Sequence, residues 1–182
     1  MWRVHRHIGM GGDQIVKAIS DEGVEREHGD SLRDAAGEEF RKLRNECVPL
    51  EGAHELVVEL KRRGLVVVLA SSANQDDLDH FLERLEVKDI VDAWTTSDDV
   101  ERTKPEPDVI HAALAKAGTH DAVMLGDSRW DIEAATRAGL QTVCVITGGW
   151  SEQELRDSGA VGVYESLVEL RERLDETPLG AD

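Results

Sequence analysis

The chain has 182 residues, 40% of them hydrophobic, which suits one domain, or a domain with a small insertion, around a sizeable core. With 38 acidic and 21 basic residues its formal net charge is -17, which argues against nucleic acid as a partner because a phosphate backbone would be repelled. The two cysteines lack metal-type spacing, no apolar run reaches the length of a membrane span and the first residues lack a signal-peptide core, so we expect a cytoplasmic location and no membrane contact.

The first 48 residues are predicted to be helical, without a convincing strand. Helical spacing covers residues 13–19 and 31–46, and Ser31 with Asp34 three residues later has the form of a capping box. From Pro49 onward strands and helices alternate. We therefore predict a small helical module over residues 1–48 and an α/β core over residues 49–182.

In the second part of the chain, short apolar runs alternate with segments of helical spacing. Strands are predicted at 65–70, 93–96, 122–125, 141–146 and 160–163. Helices are predicted at 52–63, 75–85, 108–117, 129–138, 151–158 and 165–174. This alternation implies right-handed crossovers and a three-layer, doubly wound parallel sheet of Rossmann type with helices on both faces.

The run that ends in Gly126-Asp127 is the most informative stretch for function. In an open α/β sheet the carboxyl ends of the strands form the crevice where ligands bind, and a glycine there lets the backbone approach a ligand. Asp131 follows Asp127 by four residues, so both carboxylates can face that crevice. An oxygen-only pair of acids suits Mg²⁺.

Three predicted strand ends bring polar groups to one edge of the sheet. Ser71 and Ser72 follow one strand, Lys104 follows another, and Asp127 with Asp131 follows a third. A hydroxyl, an ammonium and a metal-binding acid pair are the groups that phosphoryl transfer requires. Each also has a structural interpretation: the serines as a turn, the lysine as a solvated side chain, and the acids as stabilisers of the helix that follows.

On these residues the sequence resembles the haloacid dehalogenase-like hydrolases, in the phosphatase and phosphomutase branch with a helical cap (phosphoglycolate phosphatase-like). Ser71 matches the second motif of that family, Lys104 in Lys-Pro-Glu-Pro-Asp matches the third, and Gly-Asp-Ser-Arg-Trp-Asp matches the fourth. The resemblance covers nearly the whole chain. It implies that residues 1–48 are most of a helical cap.

The resemblance also implies roles for the matched residues. Asp127 would bind Mg²⁺ directly and Asp131 would support the metal site. Ser71, with Ser72 beside it, would bind phosphate, and Lys104 would stabilise the nucleophile and the phosphoryl group. The substrate would be a small phosphorylated metabolite.

The cap loop of such enzymes, which faces the substrate, is similar to the stretch from His7 to Gly11. Arg6, His7 and Gly9 are therefore candidates for contact with an anionic substrate. The structural alternative for the charged residues is that they are exposed polar side chains that flank a helix.

The first motif of the family, Asp-x-Asp on an opening strand, has no match in this chain. That strand would be the middle of the sheet, between 65–70 and 122–125. The internal Asp77-Leu78-Asp79 lies in a predicted helix instead of following a strand. We therefore expect an N-terminally truncated form that is inactive as given, a hypothesis that the upstream reading frame tests.

Two alternatives to the phosphatase remain open. The chain could be an inactive phosphate-binding or regulatory protein that keeps the pocket of Ser71, Lys104 and Asp127. It could also be a phosphomutase, since the cap type is shared. The oligomeric state cannot be predicted from the sequence.

Overall fold

The N-terminal part of the protein is helical, as predicted. A computed structural model of the chain describes residues 2–180. Up to residue 46 the elements are α1 (Trp2–His5), α2 (Gly12–Ile19), α3 (Glu22–Leu43) and a 3₁₀ turn at Arg44–Glu46. The division into two domains at residue 48 stays a prediction.

The predicted helix start at Ser31 is wrong. Helix α3 begins at Glu22, where Asp21 caps it by accepting hydrogen bonds from the amides of Gly23 (2.7 Å) and Val24 (3.0 Å). Ser31 lies inside the helix and its hydroxyl donates to the His28 carbonyl at 2.8 Å. A serine that bonds to the preceding turn is compatible with a continuous helix, so the Ser-x-x-Asp spacing does not mark a start here.

From residue 53 onward helices and strands alternate. In chain order they are α4 (Ala53–Arg62), β1 (Val68–Leu69), α5 (Gln75–Leu85), β2 (Ala93–Trp94), α6 (Asp108–Ala117), β3 (Val123–Gly126), α7 (Arg129–Arg137), β4 (Gln141–Val145), α8 (Glu152–Asp157), β5 (Gly162–Tyr164) and α9 (Leu167–Glu172). Further 3₁₀ turns occupy Ser97–Asp99, Ile146–Gly148 and Leu174–Glu176. None of the helices between residues 2 and 180 is both long enough and apolar enough to cross a bilayer.

All strand pairs are parallel, which confirms the predicted fold class. Strand β1 pairs with β2, and β3, β4 and β5 form a second sheet in that order. Within residues 2–180 no ladder joins β1 to β3. This is the position where the sequence predicts a gap in the sheet.

Strand β1 is shorter than the predicted run of 65–70. Only Val68 and Leu69 have ladder partners, because β1 pairs on one side with a strand of two residues. The chain before it is held instead by Asp92, whose carboxylate accepts from the Val67 amide at 2.7 Å. The run from 65 to 70 is only partly buried, with Val66 54% exposed, and the length of the ladder depends on the partner strand.

Alternate residues of β4 face two helical layers, as the period of two in a strand requires. Val143 and Val145 pack in a core with residues of α4 and α9, whereas Cys144 packs with residues of α7 and α8. In β3, Met124 packs with α6 and α7, and its neighbours pack on the opposite side. The three-layer arrangement places the carboxyl ends of β3 and β4 at one open edge.

Candidate active site

Gly126 lets the chain turn tightly from β3 into α7. A Cβ at Gly126 would lie 2.5 Å from the Cβ of Asp131, so a larger residue has no room. The turn brings the amide of Asp127 within 3.2 Å of the Asp131 carboxylate, to which it donates a hydrogen bond. The two predicted acids are thus brought together directly after the strand.

Asp131 is held by donors from two directions. Its Oδ2 accepts from the Ser128 amide at 3.0 Å and from the Ser128 hydroxyl at 2.7 Å, and Ser128 caps α7. Its Oδ1 accepts from the ammonium of Lys104 at 2.8 Å. The helix cap is therefore Ser128 and not Asp127, while Asp131 both completes a capping box and pairs with Lys104.

The side chain of Asp127 faces a glycine-rich turn after β4. The Thr147 hydroxyl donates to Asp127 Oδ2 at 3.1 Å, and a Cβ on Gly148 would lie 2.1 Å from the Asp127 carbonyl oxygen. Burial, followed by the charge of Asp131, raises the pKa of Asp127 above its usual value. Burial with a second acid nearby favours a cation or a proton at this carboxylate.

Ser71 follows β1 and is fixed by Thr95. The Ser71 amide donates to the Thr95 hydroxyl at 2.9 Å, and that hydroxyl donates to the Ser71 carbonyl at 2.7 Å. The Ser71 hydroxyl accepts from the Ala73 amide at 3.1 Å. Thr95, fully buried after β2, is a residue that the sequence analysis missed, because a threonine in a strand carries no distinguishing pattern.

The serine loop lies on the same side of the core as β3, although no hydrogen bond within residues 2–180 links it to the acids. Ala70 packs in the cluster that contains Met124 of β3 and residues of α6 and α7. Ser71 and Ser72 follow Ala70 and are both half-buried. Asp131 contacts both Lys104 and Asp127, while the two serines belong to the neighbouring loop.

Two of the cap-loop candidates reach the start of α7. The ring of His7 stacks on Trp130 with 5.5 Å between centroids and 21° between planes. Gly9 lies so close to Ser128 that a Cβ there would be 2.6 Å from its hydroxyl oxygen. His7 and Gly9 therefore cover the helix end that carries Asp131.

Arg6 contacts α8 instead. Its guanidinium lies 3.9 Å from the ring centroid of Trp150 and pairs with Glu154 at 2.5 Å. This hydrogen bond, with others from Ser151, lowers the pKa of Glu154 to about 2. Any substrate anion at Arg6 would have to compete with Glu154.

The internal Asp-x-Asp is engaged in ion pairs on α5. Asp77 accepts from Arg44 at 2.7 Å, and Asp79 accepts from Lys88 at 2.7 Å. Both residues lie within the helix, as predicted, and not at a strand end. Between residues 2 and 180, no cluster of three or more His, Cys, Asp or Glu side chains could hold a metal ion.

Comparison with known proteins gives one family. The haloacid dehalogenase-like hydrolase family model matches residues 2–145. A hydrolase from Pseudomonas syringae, known from its crystal structure, is 33% identical with a TM-score of 0.88, over 96% of this chain and 82% of that one.

The matches to two curated relatives cover different shares of the relatives' length. A haloacid dehalogenase-like hydrolase domain-containing protein of Arabidopsis thaliana is 29% identical over 78% of this chain and 46% of its own length. A phosphoglycolate phosphatase of Nitrosococcus oceani is 27% identical over 96% of this chain and 80% of its own length. The chain spans less than half the length of the first few curated relatives that it matches.

Proposed function

The chain belongs to the haloacid dehalogenase-like hydrolases, and on that premise we propose that it carries the phosphate- and Mg²⁺-binding residues of a phosphatase for a small phosphorylated metabolite. The observation that carries the proposal is the contact of Lys104 with Asp131, whose other oxygen accepts from the Asp127 amide. A lysine from one loop and the two acids at the start of α7 come together at the carboxyl edge of a parallel sheet. Phosphoryl transfer needs that combination.

Lys104 would stabilise the phosphoryl group. An ammonium has three donors, and one of them is used at 2.8 Å by Asp131. The others can donate to phosphate oxygens, where the positive charge offsets the negative charge of the transferring group. Asp131 is then a residue that supports Lys104 and Asp127, because donors engage both of its oxygens.

Ser71 would bind a phosphate oxygen. A hydroxyl has one donor and two acceptor positions, and the Ser71 oxygen already accepts from the Ala73 amide. Its O–H can therefore donate to a phosphate oxygen. Thr95 holds the Ser71 backbone on both its amide and its carbonyl, which fixes the loop that also carries Ser72.

Asp127 is the residue that fits a magnesium ion. Its carboxylate is partly buried beside a second acid, and the ion prefers one or two carboxylates together with water and phosphate oxygens. When bound, Mg²⁺ would neutralise charge on the phosphoryl group. Thr147 would hold one oxygen of Asp127 in place.

Residues 1–182 are proposed to lack the nucleophile. In the family the phosphoryl group passes to an aspartate of the first motif, and the only Asp-x-Asp here is committed to Arg44 and Lys88. The proposed activity therefore needs an aspartate in addition to the residues of this chain.

Hydrolysis of p-nitrophenyl phosphate with Mg²⁺ by the 182-residue chain tests this. We expect no turnover above that of the Asp127→Asn variant. Turnover that Asp127→Asn abolishes would show an active enzyme and overturn the predicted inactivity. An inactive chain that still binds inorganic phosphate is what the proposal expects of residues 1–182, and it would also agree with the regulatory or phosphate-binding alternative. A phosphomutase would need the same missing aspartate.

A further inference from the structure

The loop that carries Lys104 is held by the start of α2. The Gly11 amide donates to the Lys104 carbonyl oxygen at 3.0 Å. Thr103, one residue earlier in the loop, donates its amide to Asp13 at 3.2 Å and its hydroxyl to the same carboxylate. Three hydrogen bonds thus join residues 11–13 to two consecutive residues of the lysine loop.

Gly11 is the point of closest approach between the two segments. A Cβ at Gly11 would lie 1.2 Å from the Thr103 hydroxyl oxygen and 2.2 Å from its Cβ. Rotation of the threonine side chain could move the oxygen but not the Cβ, which is bonded to the backbone. A larger residue at Gly11 must therefore push the lysine loop away from α2.

Asp13 is suited to accept these hydrogen bonds. It is the second residue of α2, where a negative charge interacts favourably with the positive end of the helix. Burial raises its pKa, but hydrogen bonds from Thr103 and Gln14 outweigh burial, so the pKa of Asp13 lies below its usual value. The carboxylate is therefore ionised at neutral pH and accepts strong, charge-assisted bonds.

We propose that Gly11 and Asp13 are positioning residues for Lys104, an inference that rests on the proposed function of Lys104 as a phosphoryl-binding group. The backbone of the lysine is fixed by residues 11–13, and its ammonium is fixed by Asp131 at 2.8 Å. The side chain is held at both ends. Gly11 and Asp13 thereby set where the charge of Lys104 lies.

NMR of the full chain tests this without phosphate or metal. Lysines are labelled with ¹³C at Cε, the Lys104 signal is assigned with Lys104→Arg, and exchange of the Gly11 amide is measured. The variants are Asp13→Asn and Thr103→Val, with Thr103→Ser as the conservative change. Asp21→Asn is the matched control, because the Asp21 side chain caps α3 by accepting from the amides of Gly23 and Val24, away from the lysine loop.

In Asp13→Asn and Thr103→Val the Lys104 signal should move towards that of solvent-exposed lysines. Exchange of the Gly11 amide should quicken by about tenfold or more, the factor expected when a hydrogen bond to a charged group is lost. Thr103→Ser and Asp21→Asn should resemble the wild type. Since Gly11 bonds to Lys104 and not to the altered side chains, its exchange reports on the loop itself.

Two results would overturn the inference: folded variants in which the Lys104 signal and Gly11 exchange are unchanged, or an equal effect of Asp21→Asn. If Asp13→Asn does not fold by circular dichroism, Thr103→Val decides. Failure of the proposed function is a separate result, because Lys104 could be held in this way and still bind no phosphate.

Discussion

Lys104 and Asp131 form an ion pair of 2.8 Å between a loop and the first turn of α7, 27 residues apart in the chain. The side chains are 20% and 5% exposed, so the pair is largely shielded from water. Asp131 also completes the capping box of α7 and accepts from the amide of Asp127. One carboxylate therefore orients both the lysine and the proposed metal ligand.

Loss of either partner should destabilise the protein, and loss of the acid should cost more. Lys104→Met removes one charged hydrogen bond and should lower the free energy of unfolding by about 1–3 kcal/mol. Asp131→Asn also disrupts the donors from Ser128 and Asp127, and should cost about 3–5 kcal/mol. Urea denaturation measures both, with Lys88→Met in an exposed pair as the control that should change little. The reverse order would contradict the central role of Asp131.

Asp127→Asn should stabilise the folded chain. Since the pKa of Asp127 is raised by burial and by Asp131, the folded state binds its proton more tightly than the unfolded state, and the ionised group is unfavourable at neutral pH. Removal of the charge should raise the free energy of unfolding at pH 7 by about 0.5–1 kcal/mol. The gain should shrink as the pH falls through the raised pKa of the folded state towards the ordinary aspartate pKa of about 4.

Thermal unfolding at pH 7 and pH 4 measures this gain. Asp121→Asn is the matched control, because Asp121 is exposed just before β3 and its loss changes the net charge equally. Equal stabilisation by both variants would assign the effect to the net charge of -17 and not to the site.

Cys144 should be unreactive in the native protein. Burial, followed by the charges of Asp131 and Asp127, raises the pKa of its thiol to about 12. At pH 8 the thiolate fraction should be on the order of a thousandfold below that of an ordinary cysteine. Titration with Ellman's reagent should detect only the half-buried Cys47 at first, and Cys144 only after unfolding. Rapid reaction of both thiols in the native wild-type chain, or of Cys144 in the native Cys47→Ser variant, would contradict the packing of β4.

The contact of Arg6 with Trp150 should be visible in tryptophan fluorescence. Arg6→Ala removes a cation that lies 3.9 Å from the Trp150 ring centroid, so the emission should change, and Trp150→Phe should abolish that change. Arg156→Ala, which removes an exposed pair on α8, is the control.

The ion pair of Arg6 with Glu154 should also depend on pH. Because the pKa of Glu154 is lowered, the stability gained from this pair is present above the ordinary pKa of 4.5 and is lost as the pH falls to about 2. Loss of the emission difference between the wild type and Arg6→Ala already at pH 6 would contradict this.

Local signals in the sequence predicted much of the fold. Helices α5 and α6 have the predicted bounds, because Asn74 caps the first and Pro107 and Gly118 bracket the second. The start of α3 was missed because Ser31-x-x-Asp34 and Asp21 offer equivalent capping signals, and only the helix as a whole decides between them.

The site was predictable only in part. The spacing of Asp127 and Asp131 after a strand is a local pattern, and the structure brings both to the sheet edge. The pairing of Asp131 with Lys104 depends on how a distant loop packs against the start of α7. Thr95 and Thr147 are hydroxyl residues beside buried strands, and nothing in their neighbours along the chain distinguishes them from core threonines.

Titration of the ¹⁵N-labelled chain with MgCl₂ and inorganic phosphate, followed by amide chemical shifts, tests the central claim most directly. We expect Mg²⁺ to shift the signals around Asp127 and Thr147, and phosphate to shift those of Ser71, Ser72 and Lys104. Asp127→Asn should abolish the first set and Lys104→Met should weaken the second. Shifts located elsewhere, or shifts that persist unchanged in both variants, would contradict the assignment of this edge as a metal- and phosphate-binding site.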